Sequence, residues 1–84
     1  MTIEWSEQAW EDYLYWQLNN KLVLKRINAL IADIRLDAYA GIGKPEPLKH
    51  HLSGFGSRRI DDEHRLVYSV QGDRLQIAQC RYHY

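Results

Sequence analysis

A chain of 84 residues has room for one compact domain, 1–84, and excludes a second domain or a separate cofactor-binding half. Its 45% apolar, 12% aromatic and 26% charged residues exclude disorder; its lone Cys80 excludes an internal disulfide and suits a reducing compartment; and no apolar run approaches the ~20 residues of a membrane helix. Eleven basic and eleven acidic side chains cancel to zero, which argues against general attraction to nucleic acid unless the charges are segregated.

The opening residues have neither the basic flank nor the apolar stretch of a signal peptide, which points to the cytoplasm and no membrane partner. Thr2-Ile3-Glu4-Trp5 alternates as a short strand. Ser6 is a good N-cap, with Glu7 favourably placed in the first turn of a helix. Trp10, Tyr13, Leu14 and Leu18 then recur at helical spacing, with Ala9 and Trp16 widening the stripe. Asn19-Asn20 breaks that helix, and Asn20 can cap the next. There Val23, Ile27, Leu30, Ile31 and Ile34 form a cleaner apolar face. Gly41 and Gly43 end it, and Pro45 and Pro47 keep the following stretch extended.

The period then changes. Residues 57–60, 64–70 and 74–82 read as strands, joined by turns at Asp61-Asp62-Glu63 and Gly72-Asp73. In the middle strand Leu66, Tyr68 and Val70 share one face, and Arg65, Val67 and Ser69 the other. The last strand changes phase between Ile77 and Ala78, as a bulge would make it do. The expected fold is α+β in the order β-α-α-β-β-β, with two helices packed on one face of a small antiparallel sheet. The other face, concave by normal twist, is where a ligand would sit.

Charge is unevenly spread. Residues 1–20 hold four acids and no base; residues 44–84 hold seven bases, five acids and all four histidines. A fold that separates these stretches presents an acidic and a basic surface, and the latter suits a polyanion; an ordinary mixed surface is the alternative.

Within the basic half, Glu46 sits between Pro45 and Pro47, which restrict its backbone. A pre-positioned carboxylate suits a general base, although a solvated loop acid has the same sequence. Arg59 and Arg65 lie on successive strands of the expected hairpin, where their planar forks can converge on one phosphate or pair with Asp61, Asp62 or Glu63. His83 follows directly on a strand, and histidine is well suited to donate a proton near neutral pH. Arg81 shares its parity, so both are expected on the uncovered face. A base (Glu46), cations (Lys49, Arg59, Arg65) and an acid (His83) are the parts of RNA cleavage without a metal or other cofactor. His50, His51, His64, Cys80 and His83 have no paired zinc spacing, and Cys80, among apolar strand residues, reads as buried and inert.

The blocks Lys44-Pro45-Glu46-Pro47-Leu48-Lys49-His50, Leu52-Ser53-Gly54-Phe55, Ser57-Arg58-Arg59-Ile60, Glu63-His64-Arg65-Leu66-Val67-Tyr68 and Cys80-Arg81-Tyr82-His83-Tyr84 closely resemble the YoeB toxins of the RelE superfamily of ribosome-dependent messenger-RNA interferases. Trp5-Ser6 and Asp12-Tyr13-Leu14-Tyr15-Trp16 extend the likeness over essentially the whole chain. The resemblance implies a microbial-RNase-like fold and cleavage of messenger RNA in the ribosomal A site. It also implies neutralisation by a YefM-type antitoxin; relatives form homodimers as well, which this sequence neither demands nor forbids. Carried over by position, it makes Glu46 the general base, His83 the general acid and Arg65 the group that stabilises the scissile phosphate. Lys49, His50, Arg59 and Tyr84 become supporting substrate contacts. One residue departs from the pattern: Gly56 stands where the family leads one to expect a large aromatic, typically Trp.

Overall fold

Ser6 makes the first decisive contacts. Its hydroxyl accepts a hydrogen bond from the Ala9 N–H (3.0 Å), capping helix α1 (Glu7–Asn19), and donates to the Ala78 carbonyl (2.7 Å). Asn20 ends that helix and caps α2 (Lys21–Leu36), its Oδ1 accepting from the Leu22 and Val23 N–H groups. In the computed structural model, which describes residues 1–83, five strands complete the fold: β1 (Thr2–Trp5), β2 (Glu46–Pro47), β3 (Gly56–Arg59), β4 (Arg65–Gln71) and β5 (Arg74–Gln79). They form one sheet in the order β1-β5-β4-β3-β2.

The architecture is the expected α+β one, but it has one strand more than the expected order, the two-residue β2 in the proline-flanked stretch, and the sheet is mixed rather than purely antiparallel. β1 runs parallel to β5, pairing Thr2 with Arg74 and Trp5 with Ile77, while the other three pairings are antiparallel. Direction is not encoded in an alternating pattern; the contacts of Ser6 set it. The Ser6 N–H donates to the Ile77 carbonyl (2.9 Å) and its hydroxyl reaches Ala78, so β1 must end where β5 ends. The bulge also appears: Val67 opposes Gln79 and Tyr68 opposes Ile77, leaving Ala78 as the extra residue whose carbonyl Ser6 takes up.

Leu66, Tyr68, Leu75 and Ile77 face the helices and pack with Ile27, Leu30, Ile31 and Ile34 in one buried core. The stripe on α2 is thus as expected, whereas that on α1 is rotated. Ala9, Asp12 and Trp16 are the buried positions, while Trp10, Leu14 and Leu18 are exposed. Two polar contacts select that face: Asp12 accepts from the Cys80 N–H (3.0 Å), and Trp16 Nε1 donates to the Cys80 carbonyl (2.8 Å).

Arg58 is the largest fully buried side chain. Its Nε donates to the Tyr68 hydroxyl (3.3 Å), Nη1 to the Asp33 carboxylate and the Ile42 carbonyl (3.1 Å), and Nη2 to the carbonyls of Asp37 (2.6 Å) and Ala40 (3.0 Å). The loop after α2 is wound around this guanidinium. Gly41 allows the approach: at φ +127° it sits so close to Asp33 that an added Cβ would lie 1.9 Å from the carboxylate.

Removing Arg58 orphans buried carbonyls as well as Asp33, so Arg58→Ala is expected to cost roughly 3–5 kcal/mol. Urea unfolding checks this, and a loss below about 1 kcal/mol would mean that the loop holds itself. The Arg58 hydrogen bond, then that of the Ile42 N–H, keeps the Asp33 carboxyl below its ordinary value of 3.8. A depressed carboxyl stabilises the fold above that value and loses its effect as pH falls through the folded one. Acid titration should therefore destabilise the wild type more steeply below pH 3.8 than Asp33→Asn.

Candidate active site

The face of the sheet away from the helices carries Ser57 and Arg59 from β3, and Arg65, Val67 and Ser69 from β4, as their alternation demands. Ser57 pairs across to Val67 and, on its other side, to Glu46 of the edge strand β2. The proline-bracketed segment is therefore held as a two-residue strand, which delivers the Glu46 carboxylate beside the start of β4. There Glu46 Oε1 lies 3.4 Å from Arg65 Nη1, and the same nitrogen donates to Ser57 Oγ (3.3 Å). The Glu46 side chain is half exposed and that of Arg65 is 15% exposed, so the pair opens to solvent from the carboxylate side.

Arg59 stands directly opposite Arg65 in the register. Like charges facing each other across an antiparallel pair are unfavourable in a sheet with nothing between them, and favourable around a bound anion. The sequence leaves Arg65 either to converge with Arg59 on a phosphate or to pair with Asp61, Asp62 or Glu63; the carboxylate it meets is instead that of Glu46. Lys49 and His50, both exposed, follow Glu46 and line with it a hollow of about 540 Å³. His50 opens a short 3₁₀ turn, His50–Leu52, with φ +58°.

The chain end departs from the expected strand, for β5 stops at Gln79. The alternation expected to put Arg81 and His83 on one face therefore ends before either residue. The Arg81 guanidinium lies 3.5 Å from the centroid of the Tyr15 ring and 4.5 Å from that of Tyr82, and its buried Nε finds no hydrogen-bond partner among the described residues. Tyr82 adopts φ +64°, uncommon for a residue with a side chain. Its N–H donates to His64 Nδ1 (2.7 Å), and its carbonyl accepts from the Arg65 N–H (3.0 Å). His83, exposed, starts one peptide beyond that bond and so belongs to the same end of β4 as Arg65. Tyr84 lies outside the described residues.

Cys80 is fully buried, and burial, aided by the Asp12 carboxylate, pushes its thiol up to about 12, so it is no nucleophile. Among the described residues no three histidine, cysteine or acidic side chains gather as a metal site would require. Gly56, with Tyr39, Pro45, Phe55, Tyr68 and Val70, lines a cavity of about 340 Å³ that Glu46 also borders. A Cβ at Gly56 would lie 3.3 Å from Tyr68 Cζ.

Ser57, Asp12 and His64 escaped the sequence reading. Signals for two of them were present: His64 has the parity of Leu66 and Tyr68, and Ser57 that of Arg59. Nothing comparable marks Asp12, an acid in an acidic stretch.

Comparison with known proteins agrees with the geometry. Residues 5–84 match the family described as YoeB-like toxin of bacterial type II toxin-antitoxin system. Toxin YoeB of Escherichia coli (strain K12) is 62% identical over 84 residues, covering 100% of both chains. The YoeB/ParE toxin from Agrobacterium tumefaciens superposes with a TM-score of 0.98 at 45% identity, again over 100% of both. YoeB from Staphylococcus aureus, 52% identical over 100% of this chain and 98% of that one, has been solved as a dimer (TM-score 0.94) and in a YoeB-YefM complex (0.93). The sheet, the carboxylate–guanidinium pair on its face away from the helices and the full-length likeness converge on one assignment: this chain belongs to the YoeB-like toxins of type II toxin–antitoxin systems.

Proposed function

We propose that this toxin is an endoribonuclease that cleaves messenger RNA presented in the A site of the ribosome, and that it acts by general acid–base chemistry without a metal. The observation that carries the reading is the Glu46–Arg65 contact, open to solvent on the Glu46 side, on the sheet face away from the helices, where Arg59 stands opposite Arg65. Glu46 takes the proton of a ribose 2′-hydroxyl, whose oxygen attacks the adjacent phosphorus. Arg65, with Lys49, His50, Arg59 and Tyr84 around the strand, stabilises the charge that develops on the phosphate. The bond from phosphorus to the 5′-oxygen breaks, and His83 protonates that oxygen. The products are a 2′,3′-cyclic phosphate and a 5′-hydroxyl. The acid and base contribute roughly 10²–10⁴ in rate, and a preorganised cation comparable amounts.

Zero net charge bears on the substrate. A chain without an overall positive field has little general affinity for free RNA, so the ribosome must supply the strand in place. Such a substrate locates the activity in the cytoplasm. The partner is a YefM-type antitoxin, a reading supported by the Staphylococcus aureus complex, and two copies associate as in that protein's dimer.

Primer extension on a translated message tests the reading. Added protein should produce stops within codons at the A site, while naked transcript stays intact at the same concentration. Equal cleavage of naked transcript would overturn the dependence on the ribosome. His83→Ala and Glu46→Gln should abolish the stops and the growth arrest on induction; arrest that persists in both would leave a binding module without catalysis. Arg65→Ala should lower single-turnover cleavage by about 10²–10³. A loss under about tenfold would reduce Arg65 to positioning.

A further inference from the structure

After Gln79 the chain has left the sheet, and its backbone groups need partners other than a neighbouring strand. Three buried or nearly buried side chains provide them in succession. Asp12 takes the Cys80 N–H, Trp16 donates to the Cys80 carbonyl, and His64 Nδ1 takes the Tyr82 N–H at 2.7 Å. The last of these is the one next to the reacting groups. His64 and Arg65 are consecutive, and together they hold both backbone groups of Tyr82: the imidazole holds the N–H, and the Arg65 N–H holds the carbonyl.

We propose that His64 is a positioning residue for His83: its imidazole Nδ1 fixes Tyr82 in the left-handed conformation that aims the following residue at the phosphate bound by Arg65. The inference rests on the proposed nuclease function.

The chemistry of the contact is specific. An amide N–H can only donate, so Nδ1 must hold a lone pair and the imidazole proton must sit on Nε2. The ring has little freedom to give way. His64 is 7% exposed, its ring meets Trp16 edge-on at 4.8 Å between centroids, and its backbone N–H is tied to Asp61 Oδ1 (2.7 Å). Tyr82 at φ +64° is a conformation that a residue with a side chain keeps only when its surroundings hold it there. The hydrogen bond at each side of that residue does so. Without the His64 contact Tyr82 can relax toward extended backbone, which turns residue 83 in another direction.

The acceptor can be moved by one atom position. Asn at 64 carries Oδ1 where the imidazole carries Nδ1; Gln carries its oxygen one carbon further, and Phe keeps the ring but has no acceptor. His64→Phe and His64→Gln should lower kcat on programmed ribosomes by about tenfold to hundredfold, as small misplacements of an acid do, while KM for the ribosome stays within about twofold. His64→Asn should recover kcat to within about threefold of wild type. A role in packing alone predicts the reverse order, with Phe the best tolerated and Asn poor. Wild-type kcat in His64→Phe, or no recovery in His64→Asn, overturns the proposal.

Wild type and His83→Ala belong in the same assay. If wild type does not cleave, or His83→Ala cleaves as well, the nuclease reading fails and the proposed purpose of the clamp with it. If His83→Ala alone is impaired, only the clamp fails. Should the substitutions unfold the chain, nitrogen NMR of the wild-type His64 ring decides the contact: a proton on Nδ1 overturns it, and a proton on Nε2 with a bonded Tyr82 amide supports it.

Discussion

A guanidinium withdrawn from water must place each of its five N–H donors, and Arg58 places all of them: two on Asp33 and Ile42, two on Asp37 and Ala40, and the fifth on Tyr68. That completeness is what makes a fully buried charge tolerable in so small a core. The acceptors come from the end of α2, the loop beyond it and the sheet, so one side chain ties three regions that apolar contacts alone would leave loosely joined. The loop it shapes leads directly to Pro45-Glu46-Pro47. A short edge strand of two residues has little pairing of its own, and the position of Glu46 depends on the firmness of the loop before it.

The opposite side of the site follows a different rule. Where Arg58 is a side chain wrapped by backbone, the segment after Gln79 is backbone wrapped by side chains. Asp12 and Trp16 on α1 and His64 before β4 replace the ladder that β5 gives up. These contacts explain why α1 buries Asp12 while it exposes Leu18: the helix is oriented by the groups the chain end needs. Glu46, on the two-residue edge strand, and His83, on the segment beyond β5, thus lie at the two flanks of Arg65, which itself sits on the start of β4.

Much of this was legible in the residues. The change from helical to alternating period after Gly43, the caps at Ser6 and Asn20, and the opposed faces of Leu66-Tyr68 and Arg65-Val67 are local patterns, and local physics settles them. The bulge at Ala78 was visible as a broken alternation. The direction of β1 was not, because alternation is the same read either way. Arg58 and Asp12 were hidden for a related reason: a charged residue reads as solvated unless its acceptors or donors are known, and those lie elsewhere in the chain. The hairpin sets Arg59 opposite Arg65 as its pattern suggested, and Glu46 meets Arg65 through an edge pairing that the prolines alone did not announce, whereas the alternation expected to carry Arg81 stops at Gln79.

The double use of the Ser6 hydroxyl joins groups 72 residues apart in sequence. Closing so long a loop is entropically late work, since the β3-β4-β5 meander and the helix pair need only short-range contacts. If β1 docks after the meander has formed, β5 has one edge bare until it arrives. An uncovered edge of this kind templates association with other chains. The kinetic weak point of the molecule accordingly lies on the side of the sheet farthest from Glu46, and mutations at Thr2 or Ile3 should affect yield and solubility before they affect the assembled toxin.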